Sequence, residues 1–292
     1  MYTGSHIYRF GLAGHPLGHS LSPKIHAAAL EACGWKGEYS LYPIAPNDRF
    51  GLKQLLDKLR IGEIHGLNVT IPHKQNVIEY LDELTPTAKA IGAVNTIYFR
   101  DGKLIGENTD APGFLADLNR FLASNQSNIE NRKPEIANQK SAIVLGAGGS
   151  ARAIVYALLN EGWQVTIAAR RLEQARQLAL SFPDYATRST QYESFILHPS
   201  AFDLLVNTTP LGMAPHINSS PLPKDFSFPL RARVYDLVYN PRETELVRAA
   251  RAHGLNATTG LGMLVEQAAH AFEIWTGQAP ARDVLFASVA LP

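Results

Sequence analysis

The stretch "KSAIVLGAGGSARAIVYALLNEGWQVTIAARR", residues 140–171, predicts a strand, a glycine-rich turn, a helix and a second strand in immediate succession. Its turn fits the dinucleotide-binding fingerprint, with Ala151 at the third glycine position. Gly146 would permit the tight turn, and Gly148 would let a pyrophosphate approach the backbone. The alternative is that these glycines only form a tight crossover. Because the motif lies inside a complete βαβ unit, the sequence favours a dinucleotide site.

The end of the second predicted strand indicates which dinucleotide would bind. An NAD site would place an aspartate or glutamate there, to accept a hydrogen bond from the ribose 2′-hydroxyl. This strand instead ends in Ala169, Arg170 and Arg171, and two guanidinium groups suit a 2′-phosphate. The alternative is that both arginines simply face solvent, as most surface charges do. The sequence therefore predicts NADP as the cofactor.

The composition limits the class of protein. A chain of 292 residues exceeds the usual size of one domain and favours two. The 27 basic and 26 acidic residues give a net charge of +1, so no overall field attracts nucleic acid or an anionic membrane. One cysteine, Cys33, excludes an intrachain disulfide framework. The sequence also shows no signal-peptide pattern and no apolar run long enough for a membrane span. We therefore expect a cytoplasmic protein with a small-molecule substrate, and a homodimer is left open.

Strands and helices also alternate in the first part of the chain, which predicts a mostly parallel sheet covered by helices. The predicted strands are "HIYRFGLAG", "EYSLYPIA" and "IHGLNVTI", and the predicted helices are "KIHAAALEACG", preceded by Ser22 as its cap, "RFGLKQLLDKLR" and "KQNVIEYLDEL". A hairpin, "AVNTIYFRDGKLIGENTD", should turn at Asp101-Gly102. Later, "FDLLVNTTP" and "RVYDLVYN" should extend the second sheet.

Residues 123–140 are polar and aperiodic, which indicates an exposed connection and a seam between domains.

Several polar side chains lie near predicted strand ends in the first part of the chain. Lys74 follows the strand "LNVTI" after a proline turn, and Asp110 closes the hairpin segment. A lysine–aspartate pair could transfer a proton, but a structural salt bridge is an equal alternative from spacing alone. Ser20 and Ser22 could hold an anion or carboxylate near a helix start, although Ser22 could act only as a helix cap. Asn95 supplies an amide that either binds a ligand or merely forms a turn.

Two further patterns concern metal binding and the last helices. His15, His19 and His26 are spaced like possible ligands, but a proline and a glycine between them prevent a shared helical face. No carboxylate or cysteine cluster accompanies these histidines, so structural roles are favoured and no metal is expected. The segment "MLVEQAAHAFEIWTG" predicts an amphipathic helix near the C-terminus. Gln267 lies off the apolar face of this helix and is therefore a candidate for ligand contact.

Eight segments, in order and across nearly the whole chain, carry a resemblance to a known family. They are "GHPLGHSLSPKIH", "NVTIPHK", "GAVNT", "ENTDAPGF", "LGAGGSARA", "VNTTPLGM", "YDLVYNP" and "GLGMLVEQAAHAFEIWTG". Together they resemble the shikimate dehydrogenase family, and the ordered set is far more specific than any single segment. The resemblance implies an NADP-dependent oxidoreductase that reversibly reduces 3-dehydroshikimate to shikimate in aromatic amino-acid biosynthesis.

The resemblance also implies the domain organisation. It predicts an α/β protein of two domains with the active site in the cleft between them. The first would be a mostly parallel α/β domain that binds substrate and carries the catalytic residues, formed by residues 1–112 and 262–292. The second would be a Rossmann-type NADP-binding domain formed by residues 113–261. Hinge closure would then bring the nicotinamide over the substrate and exclude water.

The same resemblance assigns roles to individual residues. Lys74 and Asp110 would form the catalytic pair, with Lys74 as the acid/base, and Ser20 and Ser22 would hold the substrate carboxylate. Contacts to the ring hydroxyls would come from Thr70, Asn95, Asp110 and Gln267, with Tyr239 close by. The cofactor contacts would be Gly146, Ala147, Gly148, Gly149, Ser150, Ala169, Arg170, Arg171, Leu237 and Gly260.

The cofactor loop departs from the family pattern. That loop usually reads Asn-Arg-Thr with a further arginine three residues on, whereas this chain has Ala169-Arg170-Arg171 and then Gln174. Arg170 keeps the main charge, and Arg171 would replace the missing one. A quinate/shikimate dehydrogenase that uses NAD or both cofactors therefore stays an alternative. From another class of protein, a catalytically silent binding protein of the same fold is a further alternative.

Overall fold

The computed structural model describes residues 7–124, 140–197 and 201–290. The chain divides into two compact units, which we call the first unit, Met1–Gly113 with Leu264–Pro292, and the second unit, Phe114–Met263. Along the chain, both divisions fall inside helices. They do not fall in the polar segment 123–140, where the sequence predicted a seam. The structure of that segment lies outside the described residues, apart from its ends.

The first part of the chain contains six strands and four helices. In chain order they are β1 Ile7–Gly14, α1 Ser22–Ala32, β2 Lys36–Pro43, α2 Arg49–Arg60, β3 Gly66–Val69, β4 Glu83–Leu84, α3 Pro86–Ile91, β5 Thr96–Arg100, β6 Lys103–Glu107 and α4 Asp110–Ala123. The strands form one sheet in the order β2-β1-β3-β5-β6-β4. Strands β2, β1 and β3 are parallel, whereas β5 is antiparallel to both β3 and β6. The sheet is therefore mixed, and its parallel half consists of the first three strands, β1, β2 and β3.

The strand order in the parallel half of this sheet indicates where a ligand would bind. Strand β2 pairs with one side of β1 and β3 pairs with the other side, so the strand order reverses at β1. In open α/β sheets, ligands bind beyond the carboxyl ends of the strands where the order reverses. Here the carboxyl ends of β1 and β3 are joined by two hydrogen bonds, from Thr70 N–H to Ala13 O and from His15 N–H to Ile71 O. The loops that follow β1 and β3 therefore meet at this edge.

The hairpin prediction is confirmed, but one predicted helix is wrong. Strands β5 and β6 pair from Thr96 with Glu107 to Arg100 with Lys103, and the turn residues Asp101 and Gly102 both have positive φ. Positive φ at both central residues is the signature of a type I′ turn. The segment "KQNVIEYLDEL" forms only a 3₁₀ turn, Asn76–Tyr80, before β4. The Asp82 carboxylate accepts the Leu104 N–H of β6. This hydrogen bond holds the segment against the sheet, so the segment does not continue as a helix.

The remaining elements complete a second sheet and return to the first unit. They are β7 Ser141–Leu145, α5 Gly149–Asn160, β8 Gln164–Ala169, α6 Leu172–Leu180, β9 Arg188–Gln191, α7 Tyr192–Leu197, β10 Leu204–Asn207, β11 Arg233–Asp236, α8 Glu245–Ala252, β12 Asn256–Thr259, α9 Leu261–Thr276 and α10 Arg282–Ala290. The second sheet has the order β12-β11-β10-β7-β8-β9, and all its neighbouring strands are parallel. Renumbered within the unit, this is the dinucleotide-binding order 3-2-1-4-5-6.

The strand order of the second unit reverses between β7 and β10. Strand β7 carries the glycine turn at its carboxyl end, and β10 ends at Asn207, beside Leu145. Both strands are almost entirely buried, as their near-continuous apolar sequences predict for a sheet covered on two faces. Thr208 fastens the two ends together, because its N–H and its hydroxyl both donate to Leu145 O. The predicted glycine motif therefore lies at the edge where this fold binds its ligands.

The core of the first unit includes an extensive aromatic cluster. Phe10 stacks on Trp275 with ring centroids 4.7 Å apart, and His26 stacks on Tyr39 at 4.3 Å. The Trp275 indole N–H donates to Ile97 O, so its polar group is satisfied inside the core. Ala268 and Phe272 of α9 are also buried. Among the residues that the structure describes, no helix is both long enough and apolar enough to cross a membrane.

Candidate active site

Lys74 and Asp110 form a buried ion pair in the first unit. The Lys74 Nζ lies 2.6 Å from Asp110 Oδ2, and the two side chains are 10% and 6% exposed. Lys74 reaches this position because β3 ends at Val69 and the chain turns at once, with the His73 N–H donating to Thr70 O. The two residues that the sequence proposed as a pair therefore meet. An ammonium group in contact with a carboxylate and partly open to solvent can both hold and release a proton.

Asp110 is the first residue of α4, and its surroundings fix its carboxylate. The Asn108 Oδ1 accepts the N–H groups of Asp110 and Ala111, and the Asn108 amide donates to Ala93 O. Asn108 therefore acts as the cap of α4. The positive end of the helix dipole lies next to a carboxylate in the first turn and stabilises its charge. The Asp110 Oδ1 accepts a further hydrogen bond, from Asn95 Nδ2 at 3.0 Å.

The orientation of the Asn95 amide is determined by its neighbours. The Thr109 backbone N–H lies 2.7 Å from Asn95 Oδ1, and a backbone N–H can only donate. The amide nitrogen must therefore point the other way, towards Asp110 and also towards Thr109 Oγ1 at 3.0 Å. The Thr96 hydroxyl donates to the same Asn95 oxygen at 3.1 Å. Asn95 is only 3% exposed, so this arrangement is enclosed by the protein.

Gln267 of α9 reaches the same cluster. Its amide nitrogen donates to Leu264 O at 2.8 Å, so its Oε1 faces Asn95 Nδ2 at 3.4 Å. The close approach of the chain at Gly113 allows this, since a Cβ on Gly113 would lie 2.7 Å from Gln267 N. The side chain is 8% exposed. Gln267 thus presents a carbonyl acceptor to this polar cluster.

Ser20 lies in the loop after β1 and Ser22 is the first residue of α1, so the expectation that Ser22 caps this helix is wrong. The helix begins at Ser22, Leu21 occupies the cap position, and no side chain makes a capping hydrogen bond. The Ser22 N–H donates to Ser20 Oγ at 3.3 Å. The Ser22 hydroxyl is therefore not used to cap the helix and can bind a ligand. Thr70 lies at the same sheet edge, where its N–H donates to Ala13 O near the end of β1.

The glycine turn of the second unit has the properties that a dinucleotide phosphate requires. Gly146 has φ +110°, and a Cβ there would lie 2.6 Å from Thr208 Oγ1, so the tight turn needs glycine. Gly148 caps α5, and a Cβ on it would meet nothing within 4 Å. This open space lies against the first N–H groups of a helix of 12 residues, Gly149–Asn160. Such helix termini bind anions through their free N–H groups and dipole, and so the residues fit a pyrophosphate.

Arg170 and Arg171 follow β8 at the same edge of the second sheet. Both are exposed, and among the described residues neither makes an ion pair or a side-chain hydrogen bond. The Arg171 carbonyl accepts the N–H groups of Gln174 and Ala175, which starts α6 directly after the two arginines. Two uncompensated guanidinium groups beside a helix start fit a phosphate monoester. Ala169, in contrast, is buried at the end of the strand.

The predicted cofactor residues Leu237 and Gly260 are in contact. A Cβ on Gly260 would lie 2.3 Å from the Leu237 carbonyl oxygen, so the two backbones approach closely. Leu237 N–H donates to Asn207 O, which holds this segment against β10. Tyr239 follows two residues later and is half-buried, just before the cis peptide bond between Asn240 and Pro241.

Sequence reasoning missed a second buried carboxylate, Asp236, at the end of β11. Its oxygens accept hydrogen bonds from Asn207 Nδ2, Val238 N–H and the Thr244 hydroxyl. Burial raises its pKa from the ordinary value to about 6, although these hydrogen bonds lower it. Thr244 also caps α8 by accepting the Val247 N–H. The segments "VNTTP" and "YDLVYN" carried this signal, since each places a polar side chain at the end of an apolar strand.

The histidines do not form a metal site. His26 is fully buried against Tyr39, and burial lowers its pKa to about 3, opposed by the neighbouring Asn68 side chain. His26 is therefore neutral at physiological pH. Across residues 7–124, 140–197 and 201–290, no group of three or more histidine, cysteine, aspartate or glutamate side chains is arranged to hold a metal ion.

Comparison with known families gives matches along most of the chain. Residues 12–97 match the model described as Shikimate dehydrogenase substrate binding domain, and residues 128–214 match Shikimate / quinate 5-dehydrogenase. Residues 260–285 match Shikimate 5'-dehydrogenase C-terminal domain. The segments that carry Lys74, Asn95, Arg170 and Gln267 fall within these matches.

Individual proteins are similar over nearly their full length. The Shikimate dehydrogenase (NADP(+)) of Salinibacter ruber is 43% identical over 272 residues, covering 91% of this chain and 90% of that protein. The protein of the same name from Caldanaerobacter subterraneus is 38% identical over 283 residues, covering 96% and 95%.

Solved structures are similar as well. A shikimate dehydrogenase in complex with NADP+ has a TM-score of 0.84 and 34% identity, covering 99% of this chain and 98% of that one. The shikimate 5-dehydrogenase of Thermus thermophilus, in complex with NADP(H) and shikimate, has a TM-score of 0.80 and 38% identity, covering 96% and 98%. The sequence-based prediction of a two-domain α/β fold is confirmed by this likeness.

Proposed function

Because this chain belongs to the shikimate dehydrogenase family, we propose that it reversibly reduces 3-dehydroshikimate to shikimate with NADPH, a step of the shikimate pathway. The observation that carries this proposal is the buried Lys74–Asp110 pair at the ligand-binding edge of the first unit. A catalytically silent relative would need neither an ammonium group there nor a carboxylate to hold it. NADPH supplies the hydride that the ketone carbon accepts.

Lys74 is proposed to supply the proton for this reduction. As the carbonyl oxygen gains negative charge, the Lys74 ammonium donates a proton to it, and the C=O group becomes a CH–OH group. Lys74 then recovers a proton from solvent, to which its side chain is 10% exposed. In the reverse direction the neutral amine accepts the proton of the substrate hydroxyl. Asp110 keeps the amine at this position through the 2.6 Å ion pair.

The other polar side chains of the first unit are proposed to orient the substrate. Ser20 and Ser22 would donate to the substrate carboxylate, because the Ser22 hydroxyl is not consumed in capping α1. Thr70, Asn95, Asp110 and Gln267 would bind ring hydroxyls, with Gln267 as an acceptor through Oε1. Tyr239, from the second unit, is a further proposed contact. Each fixed orientation lowers the entropy lost on reaching the reactive geometry.

NADP is proposed to bind at the carboxyl edge of the second sheet. The pyrophosphate would lie against the turn and helix start formed by Gly146, Ala147, Gly148, Gly149 and Ser150. The 2′-phosphate would be held by Arg170 and Arg171, which follow Ala169. Leu237 and Gly260 would contribute backbone contacts. The exposure of both arginines, which make no ion pair among the described residues, supports a phosphate partner.

The experiment that tests the function uses the purified full chain and four reactions. Shikimate or quinate is offered with NADP+ or NAD+, and the nicotinamide absorbance of the reduced cofactor is followed. We expect reduction with shikimate and NADP+, and much slower reduction in the other combinations. Equal rates with quinate or with NAD+ would favour the broader quinate/shikimate dehydrogenase. No reduction in any combination would support the silent binding protein.

Three statements about the whole protein stay predictions from the sequence. They are the cytoplasmic location, the site in a cleft between the two domains, and the domain limits 1–112 with 262–292 and 113–261. Sedimentation of the purified chain would decide whether it forms a homodimer.

A further inference from the structure

A chain of hydrogen bonds, partly buried at its start and buried beyond Asn68, runs from the edge strand β2 to the catalytic pair. It begins at Tyr39, whose hydroxyl lies 2.8 Å from Asn68 Oδ1. Asn68 Nδ2 continues it to Asn95 O and to Thr96 Oγ1, each at 3.1 Å. The Thr96 hydroxyl then reaches Asn95 Oδ1, and Asn95 Nδ2 donates to Asp110. No part of the proposed mechanism uses Tyr39, which lies outside the eight short segments quoted for the resemblance in the sequence analysis.

The direction of each hydrogen bond in this chain is fixed by its chemistry. Asn95 O is a carbonyl and can only accept, so the Asn68 nitrogen must be the atom that faces it. The Asn68 oxygen therefore faces Tyr39, and the phenol must donate its only proton to it. With the Thr96 oxygen accepting from Asn68, the Thr96 proton is directed to Asn95 or to Thr109. In each bond from the phenol to Asp110, the donor is therefore on the Tyr39 side and the acceptor on the Asp110 side.

Tyr39 is itself held in place by stacking. Its ring lies nearly parallel to the His26 imidazole, with an interplanar angle of 7° and a centroid distance of 4.3 Å. His26 is fully buried in α1, and its ring packs near Trp275. The phenol oxygen therefore cannot swing away from Asn68 without disturbing a packed aromatic cluster. A rigid donor at the start of such a chain restricts the orientations of all the groups that follow it.

We propose that Tyr39 is a positioning residue for the reaction, and that its hydroxyl, acting through Asn68 and Thr96, restrains the motion of the Asn95 amide, which the Thr109 N–H orients and which holds Asp110 against Lys74. The proposal rests on the proposed function for its kinetic test. Without the phenol proton, the Asn68 oxygen loses its donor, so the Asn68 amide is held only through its nitrogen, by Asn95 O and Thr96 Oγ1, and moves over a wider range. The Thr96 hydroxyl is then less firmly directed at Asn95 Oδ1, the Asn95 amide fluctuates more about the orientation that the Thr109 N–H sets, and the Lys74–Asp110 pair spends less time in the reactive geometry.

The main test removes only the hydroxyl, with Tyr39→Phe, which keeps the ring stacked on His26. We expect the single-turnover rate of cofactor reduction to fall about fivefold, the effect of one neutral hydrogen bond. The Kd for shikimate should change less than about twofold, and the Kd for NADP+ should stay unchanged, since Tyr39 contacts neither ligand. The matched control is Tyr185→Phe, which removes another phenol-to-asparagine bond, to Asn160, on the exposed surface of the second unit. The control should keep the wild-type rate.

The connection through Thr96 is tested with a double-mutant cycle. Thr96→Val breaks the chain between Asn68 and Asn95, and we expect a rate loss of at least about tenfold, because the buried hydrogen bonds on both sides of this hydroxyl are lost. Thr96→Ser retains the hydroxyl and should recover most of the rate. In a protein that already carries Thr96→Val, adding Tyr39→Phe should lower the single-turnover rate no further, because the hydrogen-bond chain is already interrupted at Thr96.

Three results would overturn the proposal. They are an unchanged single-turnover rate in Tyr39→Phe, a loss confined to shikimate affinity, and losses that multiply in the double variant. A purely structural role would instead lower the melting temperature and leave the rate at room temperature unchanged. If the wild-type protein fails to oxidise shikimate, the proposed function fails, but the hydrogen-bond chain can still be tested. The Asn95 side-chain NH₂ resonances should then show faster rotation in Tyr39→Phe than in the wild type and in Tyr185→Phe.

Discussion

Both units bury an aspartate at the carboxyl edge of their sheet, and the two carboxylates have opposite surroundings. Asp110 in the first unit contacts the Lys74 ammonium at 2.6 Å. Asp236 in the second unit accepts hydrogen bonds from Asn207, Val238 N–H and Thr244, and among the described residues it has no ion-pair partner. A carboxylate paired with an ammonium group can take part in proton transfer. A carboxylate among neutral donors instead joins β10, β11 and α8 into one rigid edge.

The same contrast extends to the groups that surround each aspartate. In the first unit the ligand-binding edge is lined by side chains that donate and accept hydrogen bonds, among them Ser20, Asn95 and Gln267. In the second unit the edge offers backbone N–H groups, a glycine turn and two exposed arginines. The first edge suits a reacting molecule with several hydroxyls, and the second suits phosphates. Changes in the first unit should therefore alter turnover, whereas changes in the second should alter cofactor affinity or stability.

The largest effect is expected for Lys74→Ala. Loss of the proton donor should lower kcat about a thousandfold, in the range typical of general acid–base catalysis. The Kd for NADP+ should stay within about twofold of wild type, because the cofactor residues belong to the second unit. Lys89→Ala, at an exposed lysine in the last turn of α3, is the control and should keep full turnover. Unchanged turnover in Lys74→Ala would contradict the role assigned to Lys74.

The second prediction concerns Asp236→Asn and the pH dependence of stability. The Asp236 pKa is about 6 in the folded protein, above the value of about 4 for an unfolded chain. Between these values the folded state holds a proton that the unfolded chain has released. The raised pKa of Asp236 therefore makes its full contribution to the free energy of unfolding below about pH 4. This contribution, about 3 kcal/mol in total, is lost as the pH rises through 6. Asp236→Asn removes this dependence, so the variant should gain stability relative to wild type on going from pH 4 to pH 7.

Urea unfolding of both proteins at several pH values measures this difference. Only the change with pH matters, because the amide also alters hydrogen bonds at every pH. Asp225→Asn, at an exposed aspartate of the same unit, is the control for loss of a surface carboxylate. A constant free-energy difference between Asp236→Asn and wild type across this range would show that Asp236 does not titrate there. It would also remove the contrast with Asp110.

Local sequence patterns predicted much of the fold because they act over short distances. The apolar spacing of "RFGLKQLLDKLR" predicted α2 as Arg49–Arg60, and Asp101-Gly102 predicted the hairpin turn. The helix predicted over "KQNVIEYLDEL" failed because Asp82 is used by the Leu104 N–H of a strand distant in sequence. Such long-range competition is absent from a window of neighbouring residues. The chain after Arg171 was harder still, since its short elements, such as β9, carry little periodicity.

The candidate site could be predicted as a set of residues but not as a network. Spacing left the Lys74–Asp110 contact undecided, and the family resemblance supplied their roles. The capping role of Ser22 looked sound from the sequence, yet the helix starts one residue earlier and leaves the hydroxyl unused as a cap. Asp236 and Tyr39 were missed because the side chains that bond them, Asn207 and Thr244 for Asp236 and Asn68 for Tyr39, belong to other elements. A hydrogen-bond partner 29 residues away, as for Tyr39 and Asn68, has no local signature.

The third prediction tests the arginines of the second unit. Arg170→Ala should raise the Kd for NADP+ about thirtyfold, because a charge-assisted contact to the 2′-phosphate is lost. The Kd for NAD+ should not change, since NAD+ has no phosphate at that position. Arg171→Ala should show the same selectivity if Arg171 replaces the arginine that the family has at Gln174. Arg176→Ala, exposed on α6, is the control. Equal losses of affinity for both cofactors would mean that Arg170 does not contact the 2′-phosphate.

The smallest expected effect separates binding from folding within the glycine turn. Gly148 has φ −84°, and a Cβ there meets nothing within 4 Å, so Gly148→Ala should leave the free energy of unfolding within about 0.5 kcal/mol of wild type. The added methyl group would occupy the space next to the first N–H groups of α5, and the Kd for NADP+ should rise about tenfold.

Gly146→Ala is the contrasting variant in the same turn. Its φ of +110° and the 2.6 Å approach to Thr208 Oγ1 should cost about 2 kcal/mol of stability or more, so the protein loses affinity by folding poorly. The two variants together distinguish a glycine kept for the ligand from one kept for the chain. If Gly148→Ala binds NADP+ as tightly as wild type, the pyrophosphate does not approach the backbone there. The affinity of the second unit for NADP+ would then depend on Arg170 and Arg171 alone, because a helix start that no phosphate contacts contributes nothing to affinity.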